Sequence, residues 1–352
     1  MSKALKAGSS AKFVCASAGN HAQGFAFACQ HFGVKGRIYM PVTTPQQKII
    51  KTASFGGKTI EIIMQGDYFD ETLQAALKYA DETGASMLPP YDHPDVIEGQ
   101  ATVGVEILNQ LGQAPDMIIT PVGGGGLSSG LVKYFENHTI DFKFCEPLGG
   151  RSLYEALLAN KLVTLNHVDN FVDGAAVARI GDNNFAILKH QKVNDVLGIP
   201  EGRICTTIID MLNIEGIVLE PAGALAIDAL KDLKDQITGK KVVCIASGGN
   251  FDFERLPDIK ERALRFEGLK KYFILRMPQR PGALKDFLNL LGPNDDIARF
   301  EYLKKSARNF GSVLLGIESG SAEGFKDLCK RMTDNGFTFE DITNDELLAQ
   351  FF

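Results

Sequence analysis

The strongest constraint on the fold is an alternation of short apolar runs with helical patterns along most of the chain. Several runs, such as residues 117–122, are nearly continuous in apolar residues, as expected of strands buried on both faces. Strand–helix alternation requires crossover connections, which predict parallel sheets and an α/β fold. Because the units outnumber the strands of one ordinary sheet, we expect two α/β lobes. The predicted strands are 13–16, 36–40, 59–64, 117–122, 142–145 and 241–246, and the predicted helices are 21–32, 45–55, 68–82, 96–111, 127–136 and 222–233.

The pattern changes in the last third of the chain. Residues 252–268 are charged and helical in pattern, and they follow a Gly-Gly-Asn sequence that indicates a stop. After them, the order strand, helix, strand, strand, helix, strand predicts a small α+β unit of the ferredoxin-like type. These elements are expected at 272–277, 282–291, 297–303, 312–319, 322–333 and 337–342. We therefore expect a main domain over 1–252, a linker over 253–269 and a small domain over 270–352.

Length, charge and cysteine usage exclude several classes of protein. A chain of 352 residues is too long for one hydrophobic core. Its 37 basic and 43 acidic residues give a net charge of −6, which argues against nucleic acid as a partner. No apolar run approaches the roughly 20 residues that span a bilayer, and the N-terminus has no export signal, so we expect a cytoplasmic protein without a membrane partner. The scattered cysteines and histidines predict reduced thiols and no metal site.

Four consecutive glycines follow the apolar run at 117–122 and lead into a helical pattern. Without side chains, their backbone N–H groups can converge on one ligand, and the helix N-terminus adds positive potential. Such a loop suits a phosphate group, although a tight strand-to-helix turn is the simpler alternative. It has neither the Lys-Ser/Thr ending of a P-loop nor the spacing of a dinucleotide fingerprint. The residues of this glycine loop are Gly123, Gly124, Gly125, Gly126 and Leu127.

Two further polar clusters also follow predicted strands, at the end of the sheet where α/β proteins bind ligands. Residues 17–24, called here the asparagine loop, read Ser-Ala-Gly-Asn-His-Ala-Gln-Gly. Their side chains offer donors for a carboxylate and a ring hydroxyl, or else Ser17 is a plain helix cap and His21 a first-turn residue. Residues 247–250, the serine loop, begin with Ser247, and a buried serine there offers one neutral hydrogen-bond partner. The simpler interpretation is a polar loop that closes the domain.

In this order, the three loops resemble those of the fold-type II pyridoxal-phosphate (PLP) enzymes, and more closely those of the biosynthetic threonine deaminases, also called threonine dehydratases or threonine ammonia-lyases. The resemblance extends from Phe13 to the C-terminus. It implies a two-lobed catalytic domain of the tryptophan synthase β type, followed by an ACT-like α+β domain. One departure is Ala101, where relatives usually carry glycine. The supporting stretches are 99–102, 146–147, 173–177 and 220–224.

The resemblance also implies roles for the loops. Asn20 is expected to contact the ring hydroxyl of PLP, and Ser247 is expected to face its pyridine nitrogen. The glycine loop is expected to hold the cofactor phosphate. The substrate carboxylate is expected at the asparagine loop, on Ser17, Ala18, Gly19 and His21.

The implied reaction is the α,β-elimination of L-threonine to 2-oxobutanoate and ammonia, the first step of isoleucine biosynthesis, with L-serine as a second candidate substrate. For the C-terminal domain, the resemblance implies isoleucine as a feedback inhibitor, valine as its antagonist, and assembly as a homotetramer. From the residues alone, this domain could serve dimerisation or packing instead. Arg280 could accordingly contact an effector or cap a subunit interface.

The family's Schiff-base lysine lies in a Ser-x-Lys-x-Arg-Gly-Ala motif a couple of dozen residues before the asparagine loop, a position that here would precede Met1. Lys3, Lys6 and Lys12 are the lysines upstream of Asn20, and none has those neighbours. We therefore expect an N-terminally truncated chain that lacks the catalytic lysine and has little or no turnover. Two alternatives stay open: a serine dehydratase or racemase of the same fold, and a non-catalytic amino-acid-sensing protein.

Overall fold

The computed structural model describes residues 1–8, 12–303 and 309–345 of the chain. The chain divides into two compact units, the first made of residues 1–201 and 211–252 and the second of residues 202–210 and 253–352. Within the predicted small domain, residues 304–308 and 346–352 lie outside the described residues. No described helix is both long and apolar enough to cross a membrane.

The first unit begins with a four-stranded parallel sheet and its helices. These elements are β1 Lys12–Ala16, β2 Lys35–Met40, β3 Ile60–Met64, β4 Ser86–Met87, α1 Ser2–Lys6, α2 Asn20–Phe32, α3 Gln46–Gly56 and α4 Phe69–Thr83. The strand order is β3-β2-β1-β4, which makes β1 an inner strand. Phe13 and Cys15 of β1 pack with residues of α2, whereas Val14 and Ala16 pack with α4. Helices on both faces explain why β1 is apolar without alternation.

The rest of the first unit is built on a second four-stranded parallel sheet in the order β7-β6-β5-β8. All five residues of the inner strand β5 are buried. Helices α5 and α6 approach closely, since a Cβ on Gly130 of α6 would lie 2.7 Å from the backbone nitrogen of Ala101 on α5. The elements are β5 Met117–Pro121, β6 Asp141–Pro147, β7 Val196–Ile199, β8 Val242–Cys244, α5 Pro94–Leu111, α6 Gly126–Tyr134, α7 Ser152–Leu158, α8 Asp182–Leu188, α10 Pro221–Asp228 and α11 Lys234–Ile237. Helix α9 Glu201–Asn213 lies between β7 and α10 in the chain, and most of its residues belong to the second unit.

The second unit contains an antiparallel sheet in the order β10-β11-β9-β12. This order, with two helices between the strands, is that of a ferredoxin-like domain. Leu275 of β9 and Leu315 of β11 are completely buried, and they share a core with Phe287 of α13 and Phe325 of α14. The elements are α12 Leu256–Phe266, β9 Lys270–Pro278, α13 Ala283–Leu288, β10 Asp295–Leu303, β11 Phe310–Ser319, α14 Ala322–Asp334 and β12 Thr338–Asp341.

The architecture confirms the predicted fold class and shows where the element predictions were wrong. Strands β4 and β7 and helices α7, α8 and α9 were not predicted. Strand β4 has two residues, and α7 and α8 have seven each, so their patterns are too short for periodicity to show. The helix predicted over 222–233 ends at Asp228. Helix α12 fills most of the segment expected as a linker and belongs to the second unit.

Candidate active site

Three loops at the carboxyl ends of strands form the candidate site. The asparagine loop follows β1, the glycine loop follows β5, and the serine loop follows β8. Strand β1 belongs to one parallel sheet, and β5 and β8 are neighbours in the other. In α/β proteins, ligands bind in the crevice outside the carboxyl ends of the strands, so all three loops lie where a ligand is expected.

The glycine loop turns strand β5 directly into helix α6. Gly125 caps the helix with a φ of +92°, a left-handed conformation that favours glycine. A Cβ on Gly125 would lie 2.6 Å from Cδ1 of Ile180. The ring of Tyr91 occupies the corresponding position beside Gly124. Neighbouring side chains therefore leave no room for side chains on the loop itself.

The backbone N–H groups of the glycine loop are available to a ligand. No N–H group of residues 123–127 donates a hydrogen bond to the part of the chain that the structure describes. Gly124, Gly125 and Gly126 are nevertheless buried, and a buried N–H group without a partner costs free energy. The loop also begins the nine-residue helix α6, whose peptide dipoles attract an anion. These residues therefore fit the phosphate group of PLP.

The asparagine loop is a tight turn between β1 and α2. The hydroxyl oxygen of Ser17 accepts a hydrogen bond from the Gly19 N–H at 3.2 Å, and the Ser17 N–H donates to the Tyr39 carbonyl at 3.1 Å. His21 Nε2 lies 3.0 Å from the Leu88 carbonyl, so this nitrogen carries the proton. Burial lowers the pKa of His21, which keeps the ring neutral near neutral pH. The Ser17 and His21 side chains thus bond within the chain and shape the loop.

Glu220 connects the asparagine loop with the serine loop. Its Oε1 accepts a hydrogen bond from Asn20 Nδ2 at 2.7 Å, and its backbone N–H donates to the Gly248 carbonyl at 3.1 Å. The carboxyl group fills the position that a Cβ on Gly248 would take. Glu220 is 7% exposed. Burial raises the pKa of its carboxyl group, and the hydrogen bond from Asn20 opposes that rise. Two separate loops therefore share one buried carboxyl group.

The glycine loop reaches this cluster through the segment that precedes α8. A Cβ on Gly123 would lie 3.1 Å from the Cα of Ala175, and one on Gly174 would lie 2.9 Å from the Cβ of Ala222. Ala222 is in the first turn of α10, whose N-cap residue is Glu220. Loops from three distant parts of the sequence are therefore joined in one region of the first unit.

Ser247 has surroundings that differ from the prediction. It was expected to be buried, but it is exposed in the irregular loop after β8. The physical reason is that β8 has three residues and lies at the edge of its sheet. Helix α3 lies beside this region, since Lys51 Nζ donates to Asn250 Oδ1 at 3.0 Å and Lys48 forms an ion pair with Asp173 at 2.6 Å.

Glu146, at the end of β6, supports the fold and not the candidate site. It is completely buried. Its carboxylate oxygens accept hydrogen bonds from the N–H groups of Leu153 at 2.8 Å and Tyr154 at 2.9 Å, in the first turn of α7. Burial raises the pKa of Glu146 to about 7, although these hydrogen bonds oppose the rise. The residue therefore caps a helix from inside the core.

Sequence reasoning missed three participants in this region: Tyr91, Asn184 and Glu220. Glu220 was noticed only as part of a matching stretch, although an acidic residue directly before a proline that begins a helix indicates a helix cap. Tyr91 and Asn184 contact the glycine loop from segments far along the chain. No spacing within the sequence could have connected them with it.

Two parallel sheets with a glycine loop at the end of an inner strand are the features expected of a PLP-dependent enzyme of fold type II. Residues 1–248 match the family described as pyridoxal-phosphate dependent enzyme, and residues 261–352 match the C-terminal regulatory domain of threonine dehydratase. The chain belongs to this PLP-dependent family, and within it to the biosynthetic threonine dehydratases.

Relatives and solved structures agree with this assignment. The chain is 47% identical over 336 residues to the L-threonine dehydratase biosynthetic IlvA of Bacillus subtilis (strain 168), covering 95% of this chain and 79% of that protein. The processed form of threonine deaminase isoform 2 from Solanum lycopersicum matches with a TM-score of 0.67 and 36% identity over 72% of this chain and 74% of that one. Maize serine racemase matches with a TM-score of 0.64 and 28% identity, covering 73% and 78%. PLP is therefore the cofactor of the family, and threonine dehydratase or threonine deaminase is the activity for which the first two of these relatives are named.

The buried Glu146 predicts a pH-dependent contribution to stability. Because its pKa rises from 4.5 to about 7 on folding, the folded chain binds more protons between these two values. The contribution of Glu146 to the free energy of unfolding should therefore fall by about 3 kcal/mol as the pH rises through this window, and then level off. Glu146→Gln cannot titrate, so it should remove this part of the slope when urea unfolding is measured across the window.

The control for this prediction is Glu155→Gln, which changes a half-exposed carboxyl group on α7, the helix that Glu146 caps. It should keep the slope of the unmodified chain. Identical pH profiles for the unmodified chain and Glu146→Gln would show that the buried carboxyl group does not titrate in this range.

Proposed function

We propose that the three loops hold PLP and L-threonine in the arrangement that the resemblance implies. The observation that supports the proposal is the row of N–H groups at residues 123–127, at the N-terminus of α6, which have no partner within residues 1–8, 12–303 and 309–345. A phosphate group requires several donors and positive potential at one place, and this loop supplies both. In the proposed arrangement, the N–H groups from Gly123 to Leu127 bind the phosphate, Asn20 meets the ring hydroxyl, and Ser247 faces the pyridine nitrogen.

The contact between Asn20 and Glu220 supports the role of Asn20. Asn20 Nδ2 donates to the buried Glu220 carboxyl group at 2.7 Å, so the side chain is oriented before a ligand arrives. An amide nitrogen has a second N–H, which can donate to the oxygen of the ring hydroxyl. Glu220 therefore acts in this proposal as the residue that fixes the direction of the Asn20 amide.

The substrate carboxylate is placed at the backbone of Ser17, Ala18, Gly19 and His21. This segment precedes and begins α2, a helix of 13 residues, whose dipole favours an anion. The Ser17 and Gly19 N–H groups already donate within the chain, so the N–H groups of Ala18 and His21 are the donors proposed for the carboxylate. The neutral His21 ring is already bonded to the Leu88 carbonyl. The carboxylate is therefore held by N–H groups and not by an ion pair.

The polar group beside the pyridine nitrogen decides which reaction follows. When bound, PLP supplies the electron sink that allows the α-proton of an amino acid to leave. The hydroxyl group of Ser247 is neutral, so it leaves the pyridine nitrogen unprotonated, whereas an aspartic acid there would protonate it. Weaker electron withdrawal favours prompt loss of the substrate β-hydroxyl over transamination or racemisation.

The second unit is proposed to bind isoleucine as a feedback inhibitor, with valine as its antagonist. Its family match is to a regulatory domain, and it contains a pocket of about 350 Å³. At the pocket, the Arg280 guanidinium and the Asp286 carboxylate lie 2.6 Å apart. These two charges can pair with the carboxylate and the ammonium group of an amino acid. Leu290 and Phe337, which also line the pocket, suit a branched apolar side chain.

Three further points stay predictions. L-Serine is a second candidate substrate, and the chain is expected to form a homotetramer. The third prediction is that these 352 residues lack the catalytic lysine, because the family's Ser-x-Lys-x-Arg-Gly-Ala motif does not occur in them. The match to the regulatory domain of threonine dehydratase favours the threonine-deaminase assignment over a racemase of the same fold.

Gly125→Ala tests the phosphate loop. The position requires a positive φ, which alanine disfavours, and the added methyl group meets Ile180, so the change should displace the N–H groups and raise the dissociation constant for PLP at least about tenfold. Gly112→Ala is the matched control, since Gly112 has a φ of +68° at the end of α5 with nothing within 4 Å of its added Cβ. A PLP titration followed by absorbance should separate the two variants. Equal affinities would remove the glycine loop from the cofactor site.

The lysine prediction is tested by turnover of the 352-residue polypeptide itself. Loss of a well-placed general base lowers a rate about 10²- to 10⁴-fold, and here the nucleophile would be lost as well. With PLP and threonine present, formation of 2-oxobutanoate should therefore be close to the rate without protein. The matched measurement uses the Bacillus subtilis relative under the same conditions. Comparable rates for the two proteins would show that another group in this chain replaces the lysine.

Isoleucine binding is tested on the full chain by calorimetric titration. Isoleucine should bind saturably, and Arg280→Gln should weaken binding about tenfold or more because a charged hydrogen-bond partner is lost. Arg276→Gln, at an exposed arginine on β9 outside the pocket, should bind isoleucine normally. If both variants bind as the unmodified chain does, the effector site is elsewhere.

A further inference from the structure

The carbonyl group of Gly124, within the glycine loop, is held by two donors from outside the loop. The Gly181 N–H donates to it at 3.1 Å, and Asn184 Nδ2 donates to it at 2.8 Å. The same Nδ2 atom lies 3.4 Å from the carbonyl oxygen of Tyr91. Since carbonyl oxygens only accept hydrogen bonds, these contacts establish which end of the Asn184 amide is the nitrogen.

Asn184 itself is fixed in place by its neighbours. It is completely buried in α8. The carboxylate of Asp92 accepts hydrogen bonds from the N–H groups of Asp182 and Asn183, both at 2.9 Å, which anchors the start of the helix. The Ser129 hydroxyl group donates to the Asn184 carbonyl at 3.3 Å and so ties α8 to α6. The amide therefore cannot move away from the loop without disturbing several other contacts.

The direction of the Gly124 carbonyl determines the direction of the next N–H group. In a trans peptide, the C=O of one residue and the N–H of the next point in opposite directions. Because Asn184 draws the Gly124 oxygen toward α8, the Gly125 N–H is turned to the opposite side of the loop. That N–H belongs to the row that donates to no group in the described chain.

The other end of the Asn184 amide supports a dedicated role. Asn184 Oδ1 is buried and accepts no hydrogen bond from the described residues. A buried acceptor without a partner is costly, and an apolar residue of similar size would avoid that cost. We therefore expect the hydrogen bonds of the amide nitrogen to offset the free-energy cost of the unsatisfied oxygen. Of the two that this nitrogen makes, the bond to the Gly124 carbonyl is the shorter.

We propose that Asn184 is a positioning residue for the cofactor: its Nδ2–H···O=C bond to Gly124 aims the Gly125 N–H at the phosphate group and so increases the affinity of the loop for phosphate. The inference rests on the proposed function of the glycine loop. It assigns a role in cofactor binding to α8, an element that carries none of the three loops.

The test is Asn184→Asp in the full chain, compared with Asn183→Asp. The first places a carboxylate oxygen opposite the Gly124 and Tyr91 carbonyl groups, whereas the second adds the same charge one residue earlier, at an exposed position on the same helix. PLP is titrated directly, and inorganic phosphate is titrated in competition with it. Asn184→Asp should raise both dissociation constants by the same factor, about ten- to a hundredfold, and Asn183→Asp should leave both unchanged.

A second variant, Asn184→Ala, removes the donor without adding charge, so it keeps the test valid if the aspartate variant does not fold. It should weaken both ligands by a smaller and equal factor, about three- to tenfold. If Asn183→Asp lowers the two affinities as much as Asn184→Asp does, the effect is due to charge alone and the inference is wrong. Loss of PLP affinity without loss of phosphate affinity would overturn it as well.

The outcomes also separate this inference from the proposed function. If the unmodified chain binds neither PLP nor inorganic phosphate, the proposed function of the glycine loop fails and the inference fails with it. If the unmodified chain binds both and the two Asn184 variants bind them equally well, the inference alone is wrong.

Discussion

The first unit depends on one constraint, which is that a row of largely buried backbone N–H groups at the glycine loop donates to no group among the residues that the structure describes. The buried strand β5 fixes the backbone where the row begins, and the dipole of α6 lies where it ends. Tyr91 and Ile180 pack against one side of the glycines, so the loop cannot collapse onto them. The loop is therefore formed before any ligand is bound, which reduces the ordering that binding requires.

The loops that follow the two parallel sheets are linked to each other and to the glycine loop by shared contacts. The Glu220 carboxyl group accepts a hydrogen bond from Asn20, after the first sheet, and its backbone N–H donates to Gly248, after the second, so one residue sets the spacing of two loops. The segment with Gly174 and Ala175 lies between that carboxyl group and the glycine loop. Elements that come from opposite ends of the first unit are thus joined by a few short contacts.

Sequence patterns identified the site only where a residue has few alternative uses. Four consecutive glycines after a buried strand predict a ligand loop or a tight strand-to-helix turn, and the structure shows Gly125 at a φ that favours glycine. An asparagine in a short helix has many uses, so Asn184 could not be recognised without its contacts. Ser247 was misjudged for a related reason: burial depends on neighbouring strands, and β8 lies at a sheet edge. The seven-residue helices α7 and α8 were too short for their periodicity to be read.

The close packing behind the glycine loop affects how such sequences should be compared across evolution. A Cβ on Gly124, Gly125 or Gly130 would collide with atoms of the protein itself, without any cofactor present. Selection for a stable fold alone would then retain these glycines in a descendant that had lost its chemistry. The intact glycine run is consequently a poor marker for distinguishing active enzymes from inactive paralogues. Residues that the fold does not need for packing, such as the exposed Ser247, should diverge first.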